Sequence, residues 1–369
     1  MACTRTNGRP ESKAGTRTRL TIVVDSQEYG GAEAYVAQLL SHLPDRYERT
    51  LLATEPIPQQ LREAARSAGA PVVPFVPPRG KFDLARLFGG ARVLRSTRPD
   101  LVHLNLTTAA NNRHLLAAAV ALRVPALATL HIVAPLLSTI QRRVLRRAYR
   151  RLRRLIAVSD ETRRQLCAEL GVEDEAVAVV PNGVPSRTPK EHASRRRVRI
   201  GGLGRVTRQK GFDLLVEAVR VLVAEGIELE AAVAGEGPER EPLVARAHGL
   251  PIEFPGFVSD VSSFLDELDV FCLPSRWEGL PFALLEAMMA GLPCVAADVG
   301  DVASALGPTG VVVPPDDVPE LAAALRGLAT SPALRRDLGS AAHARALARH
   351  TTEQMVAATA RVYEEALAG

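Results

Sequence analysis

Val270-Phe-Cys-Leu-Pro-Ser-Arg-Trp-Glu278-Gly-Leu-Pro-Phe-Ala-Leu-Leu-Glu286-Ala-Met-Met-Ala-Gly-Leu-Pro293-Cys-Val-Ala296 sets two short apolar runs on either side of a helix-length segment. Strands that are apolar throughout are buried on both faces, and two of them joined through a helix make a parallel crossover. Pro281 suits the first turn of that helix, where its missing N–H would have no intrahelical partner. The amides of Gly279 and Leu280 then face out of a helix N-terminus, a natural place for phosphate. Glu278 lies just before the turn, and Glu286 follows Pro281 by about 1.4 turns at ~3.6 residues per turn. Carboxylates so placed can accept hydrogen bonds from vicinal hydroxyls. Taken alone, the pair reads equally well as a surface carboxylate and a helix cap.

The same alternation runs along the chain. Apolar, β-branched runs lie at Leu20–Val24, Leu51–Ala53, Val72–Phe75, Leu101–Leu104, Ala126–Leu130, Leu155–Val158 and Val177–Val180. A second set lies at Val198–Leu203, Leu229–Ala234, Ile252–Phe254, Val270–Leu273, Pro293–Ala296 and Val311–Val313. Helix-length segments separate them, and the first run of each half enters a glycine turn and then a helix, as nucleotide-binding βαβ units do. The expectation is an α/β protein of two Rossmann-like domains facing across a cleft. Residues 1–19 read as a disordered tail, 20–185 as the N-terminal domain, 186–197 as a linker and 198–350 as the C-terminal domain. Residues 351–369 read as a helix crossing back to the N-terminal domain.

Other motifs fall at strand ends. Gly201-Gly-Leu-Gly204-Arg205-Val-Thr-Arg208-Gln-Lys210-Gly places two cations, five residues apart, after glycines that permit close backbone approach. Arg205 offers a fork matched to phosphate oxygens and Lys210 a compact charge; Arg208 reads as a solvated neighbour. Gly235, in Ala234-Gly-Glu-Gly-Pro238, and Val258, in Pro255-Gly-Phe-Val-Ser-Asp260, end further strands. Turn chemistry, and core packing for Phe257, are equally good readings of those two. In the first half, Tyr29-Gly30-Gly31-Ala-Glu33, Thr129-Leu130-His131, Val158-Ser159-Asp160 and Asn182-Gly183 take corresponding places.

The ordered run WEGLPFALLEAMMAGLP with Glu278-x7-Glu286, some 70 residues after GxGR…KG, resembles the signature of retaining GT-B glycosyltransferases of family 4 (glycosyl transferases group 1). The resemblance covers about residues 20–350. It implies a nucleotide-diphosphate sugar, UDP by default, as donor, with Arg205 and Lys210 on the diphosphate, helped by the Gly279 and Leu280 amides. It further implies Glu278 and His131 on the donor sugar and Glu286 on the ribose. Gly31, Asn182, Gly204 and Gly235 would line the donor site, with the Val258 backbone on the base. His131 reads as a hydrogen-bond partner, not a general base. The acceptor would be a hydroxyl of a glycan, lipid-linked or small-molecule compound. No cofactor or metal is implied, and no DxD motif is present. The chain departs from relatives at Gly300-Asp-Val-Ala-Ser304, where a glutamate is common, and at Asn105, where a second histidine is common. A nucleotide-sugar epimerase of the same fold, which would need acid/base carboxylates from the first half, and a scaffold without catalysis are the alternatives.

Composition narrows the setting. Of 369 residues, 47% are hydrophobic and 24% charged, which is globular. No window approaches the ~18 uninterrupted apolar residues of a membrane span. Four scattered cysteines without a CxxC pair fit a reducing compartment, and the first 19 residues lack a signal peptide's apolar core, so a cytoplasmic protein is expected. The net charge of +5 comes from the tail and from residues 142–154, which hold eight arginines and no acid. A nucleic-acid binder would be basic over a broad face, so that partner is not expected. In Gln141–Arg154 the spacing of Val144, Ala148, Leu152 and Leu155 suggests one apolar face. Such a helix packs on the domain with a cationic solvent side, or lies on an anionic membrane surface at the inner face.

Overall fold

The computed structural model describes residues 17–24, 28–77, 84–111, 113–132, 139–189 and 197–368. Most of the expected tail (residues 1–16) and of the linker (residues 190–196) lies outside the described residues. Among the described residues thirteen strands form, in the order β1 Thr18–Val24, β2 Tyr47–Thr54, β3 Val72–Phe75, β4 Leu101–Leu106, β5 Ala126–Leu130, β6 Arg154–Ala157, β7 Val177–Val179, β8 Val198–Leu203, β9 Leu229–Ala234, β10 Ile252–Gly256, β11 Val270–Leu273, β12 Cys294–Ala297 and β13 Val311–Val313. Each coincides with an expected run. β1 begins two residues inside the expected tail, because Arg19 is tied to Asp100 by its backbone N–H and a 2.6 Å ion pair.

Two sheets result, ordered β3-β2-β1-β4-β5-β6-β7 and β10-β9-β8-β11-β12-β13. Every pairing between these strands is parallel. β4, β5, β11 and β12 are buried along their whole lengths, as parallel strands with both faces covered must be. Strand order reverses between β1 and β4 and between β8 and β11, and a crevice opens beyond the carboxyl ends of strands at such switch points. The two crevices face each other.

The final helix, Thr352–Ala368, packs against the N-terminal domain. Its Tyr363 hydroxyl bonds His103 Nδ1 at 2.7 Å, Thr359 bonds the Tyr35 hydroxyl at 3.0 Å, and Glu365 accepts from Arg154 at 2.9 Å. Where the chain crosses between domains its two passages pair with each other. Val184 N–H donates to the His350 carbonyl at 2.9 Å and Thr352 N–H to the Val184 carbonyl at 3.0 Å. One hydrophobic cluster runs through this seam, joining Leu20, Tyr35 and Val184 to Leu280, Met288 and Tyr363.

The arginine-rich helix spans Thr139–Tyr149, and of the expected apolar face Ala148, Leu152 and Leu155 pack against the core while Val144 does not. Leu145 and Tyr149 point into the domain, with the Tyr149 hydroxyl bonded to the Ala109 carbonyl at 2.9 Å. Val144, placed on the apolar face by spacing alone, is 62% exposed, and Ile140 is 76% exposed. Ile140 and Val144 stand away from the core that Leu145, Ala148 and Tyr149 reach.

Candidate functional site: the interdomain cleft

The C-terminal wall is built from strand-end loops packed backbone to backbone. Gly204 N–H donates to the Ala234 carbonyl at 3.0 Å and Gly235 N–H to the Gly256 carbonyl at 2.7 Å. Gly235 has φ +140, and a Cβ there would overlap the Gly204 carbonyl oxygen, so only glycine lets these loops close into a shelf. Val258 follows at the rim, half-buried against the core. Phe257 does not pack in the core and is 58% exposed.

On the shelf lies the turn carrying Glu278. Lys210 Nζ pairs with Glu278 Oε1 at 2.6 Å, and the buried Ser275 hydroxyl donates to the same oxygen at 2.8 Å. The lysine expected on a diphosphate and the glutamate expected on a sugar are therefore one unit, with Glu278 Oε2 left to accept. Arg276 clamps the turn from beneath: both its terminal nitrogens reach Asp213 at 2.8 Å and its Nε reaches Asp316 at 2.6 Å. Ser275 and Arg276 were not singled out from sequence, although a serine three residues before a glutamate is a local bonding pattern.

The helix after the turn spans Phe282–Met289, with Pro281 as its N-cap and not its first helical residue. Glu286 sits on it, and burial pushes its carboxyl up to about 7. The Tyr29 phenol of the opposite domain is pushed up to about 12, by burial first and then by the negative charge of Glu286 and Glu33. Gly31, which opens the helix Gly31–His42, faces the Phe282 ring across the cleft. Arg205 does not stand free for a diphosphate. Its guanidinium forks onto Glu28 of the N-terminal domain at 2.5 and 2.9 Å.

The N-terminal wall meets this turn at His131, just beyond β5. A Cβ on Gly279 would overlap the His131 carbonyl oxygen, so the two backbones are in direct contact. The His131 ring is buried, and burial lowers it to about 3, which leaves it neutral. Its Nε2 lies 2.9 Å from Asn105 Oδ1, and Asn105 Nδ2 donates to the Ala32 carbonyl at 2.9 Å. Asn182, expected on the donor, is buried, and its amide donates to the Leu280 carbonyl at 2.6 Å. It braces the turn across the domain boundary. The Gly300–Ser304 segment supports the same turn, with Asp301 N–H donating to the Gly279 carbonyl at 3.0 Å. Among the described residues no group of three or more His, Cys, Asp or Glu could hold a metal ion.

Two facing parallel-sheet domains, with glutamates and cations collected at the strand ends of one and a neutral histidine on the other, define the GT-B class of glycosyltransferase. The comparisons agree. Residues 29–187 match the Glycosyltransferase Family 4 model and residues 197–331 the Glycosyl transferases group 1 model. The chain belongs to this family of glycosyltransferases. It is 31% identical over 232 residues to MMP alpha-(1->4)-mannosyltransferase of Mycolicibacterium hassiacum, covering 60% of this chain and 56% of that protein. It is 32% identical over 221 residues to 2-deoxystreptamine glucosyltransferase of Streptomyces kanamyceticus, covering 54% and 56%. The matches thus span little more than half of either relative. In fold it resembles Anabaena HepE in complex with UDP and glucose, at TM-score 0.79 and 19% identity, covering 94% of this chain and 99% of that one. Sucrose-phosphate synthase from Thermosynechococcus elongatus gives TM-score 0.76 at 19% identity, covering 95% and 100%.

A carboxyl titrating near 7 in the fold and near 4.5 when unfolded binds its proton more tightly in the native state. Glu286 therefore weakens stability as pH rises from about 4.5 through 7. Urea unfolding of the wild type and Glu286→Gln should show the variant gaining relative stability between pH 5 and pH 8. A pH-independent difference would mean that Glu286 is not held protonated by burial.

Proposed function

We propose that the chain is a retaining glycosyltransferase that moves a hexose from a UDP-sugar to an acceptor hydroxyl without a metal. The observation that carries this is the Lys210–Glu278–Ser275 cluster set against His131 through the Gly279 contact. Lys210 faces the departing diphosphate, and Arg205 joins it by exchanging the Glu28 carboxylate for phosphate. Lys210 and the Gly279 and Leu280 amides are placed to stabilise charge that builds on a leaving group. Glu278 Oε2 and His131 hold sugar hydroxyls, and an oxygen of the Glu286 carboxyl group accepts from the ribose. The bond from C1 to the diphosphate oxygen breaks with its electrons on the phosphate. The acceptor oxygen bonds C1 on that same face, and its proton passes to a departing phosphate oxygen.

Relatives that transfer mannosyl and glucosyl groups support a hexose, and neighbours solved with UDP and with UDP-glucose support the nucleotide. The acceptor is a hydroxyl of a glycan, a lipid-linked sugar or a small aglycone. An epimerase would need acid/base carboxylates from the N-terminal half; Glu33 there accepts from the Gly30 N–H at 2.9 Å.

We also place the protein in the cytoplasm, at the inner membrane face. Among the described residues no helix is long and apolar enough to cross a membrane. Ile140 and Val144 share the outward face of the arginine-rich helix with Arg143 and Arg147, a pairing of apolar and cationic groups suited to anionic lipid.

Two measurements test these readings. UDP-glucose turnover should be indifferent to EDTA and should fall about 10²–10³-fold in Lys210→Ala. Loss in EDTA, or undiminished turnover in the variant, contradicts the diphosphate assignment. In vesicle sedimentation the protein should pellet with phosphatidylglycerol-containing vesicles and not with pure phosphatidylcholine, and Ile140→Ser/Val144→Ser should weaken pelleting. Equal sedimentation with both lipids, or with neither, contradicts the surface assignment.

A further inference from the structure

His131 is an imidazole at the domain contact, and its chemistry depends on which nitrogen carries the proton. The Asn105 side chain settles this. Its Nδ2 faces the Ala32 carbonyl, which can only accept, so the amide orientation is fixed and Oδ1 is the atom facing His131. An amide oxygen can only accept, so His131 Nε2 must donate. The neutral ring then carries its lone pair on Nδ1. That nitrogen has no hydrogen-bond partner among the described residues. The titratable groups recorded against this cluster are His103 of β4 and Tyr35 of the helix Gly31–His42, whose ring meets His131 edge-on at 5.2 Å. Burial pushes His103 down to about 3 and Tyr35 upward, so both are neutral at pH 7.

We infer that Asn105 is a positioning residue that locks His131 in the Nε2–H tautomer, so that the ring offers the transferred sugar an acceptor and never a donor. This rests on the donor reading of the cleft. It adds a polarity rule: the hydroxyl meeting His131 must donate. It also keeps the ring uncharged beside a sugar that becomes positive as its bond to phosphate breaks, where an imidazolium would oppose the reaction. The rule is particular to this chain's amide, since a histidine at position 105 could present either a donor or an acceptor to His131.

The test reads the tautomer directly. Two-bond 1H–15N correlation spectra of the 15N-labelled full chain, with His131→Gln used for assignment, report which nitrogen is protonated. At pH 7 His131 should be neutral and protonated on Nε2, with and without UDP. An Nδ1–H ring or an imidazolium in the wild type overturns the inference, whatever the activity. In Asn105→Asp the added carboxylate favours the imidazolium. Turnover of UDP-glucose should then fall about tenfold or more at pH 6 and recover as pH rises, with UDP affinity unchanged. A fall of equal size at all pH values, with the tautomer unaltered, would reduce Asn105 to a structural role and overturn the inference. Turnover absent in the wild type, with the Nε2–H signal present, would instead count against the donor reading alone.

Discussion

Everything in the cleft depends on one close approach, between the backbone of Gly279 and the carbonyl oxygen of His131. The contact leaves no space for a side chain, so it fixes how far apart the two walls can be. Strand ends from both sheets converge on it: β11 delivers the turn, β5 delivers the histidine, and the loop after β12 supports the turn from below through Asp301. The crossing passages at Val184 and Thr351 and the return of the final helix hold the domains in the relation that the contact requires.

Electrostatics follows from that geometry. Glu278 is nearly buried, and a buried carboxylate needs a partner or a proton. Lys210 and Ser275 supply the partners, and together they hold Glu278 in one orientation. Glu286 has no such pair and is pushed toward its neutral form. The two glutamates of one motif are thus distinguished by environment, as two roles on one helix-turn unit would require. Arg205 and Glu28, by contrast, are exposed. Exposed pairs contribute about 0–1 kcal/mol, so the Glu28 carboxylate is an exchangeable partner for the guanidinium.

The fold was legible because burial on both faces makes parallel strands read as continuous apolar runs, most plainly in β4, β5, β11 and β12. What escaped was polar at the edges. The Tyr47–Thr50 end of β2 is half-exposed, and nothing in Glu-Arg-Thr announces a strand until it pairs with β1. Val144 escaped for a different reason: spacing groups it with Ala148, Leu152 and Leu155, which pack, but does not show how far along the helix the core extends. In the cleft, sequence located Glu278, Lys210, Arg205 and His131 but not their partners. Lys210 meets Glu278 across 68 residues and Arg205 meets Glu28 across 177, contacts that no local spacing encodes. Asn105 was visible only as a departure from relatives; its meaning required the carbonyl of Ala32 and the ring of His131.

If the Gly279–His131 contact assembles the reaction centre, then a single added methyl group should disable it. Gly279→Ala, assayed for UDP binding by calorimetry and for UDP-glucose turnover, is the most direct measurement. The methyl must push the walls apart, and misplacement of reacting groups by about 1 Å costs about a hundredfold in rate. Turnover should therefore drop about a hundredfold while UDP binding to the C-terminal wall falls far less. Wild-type turnover in Gly279→Ala would contradict the contact's role in building the site.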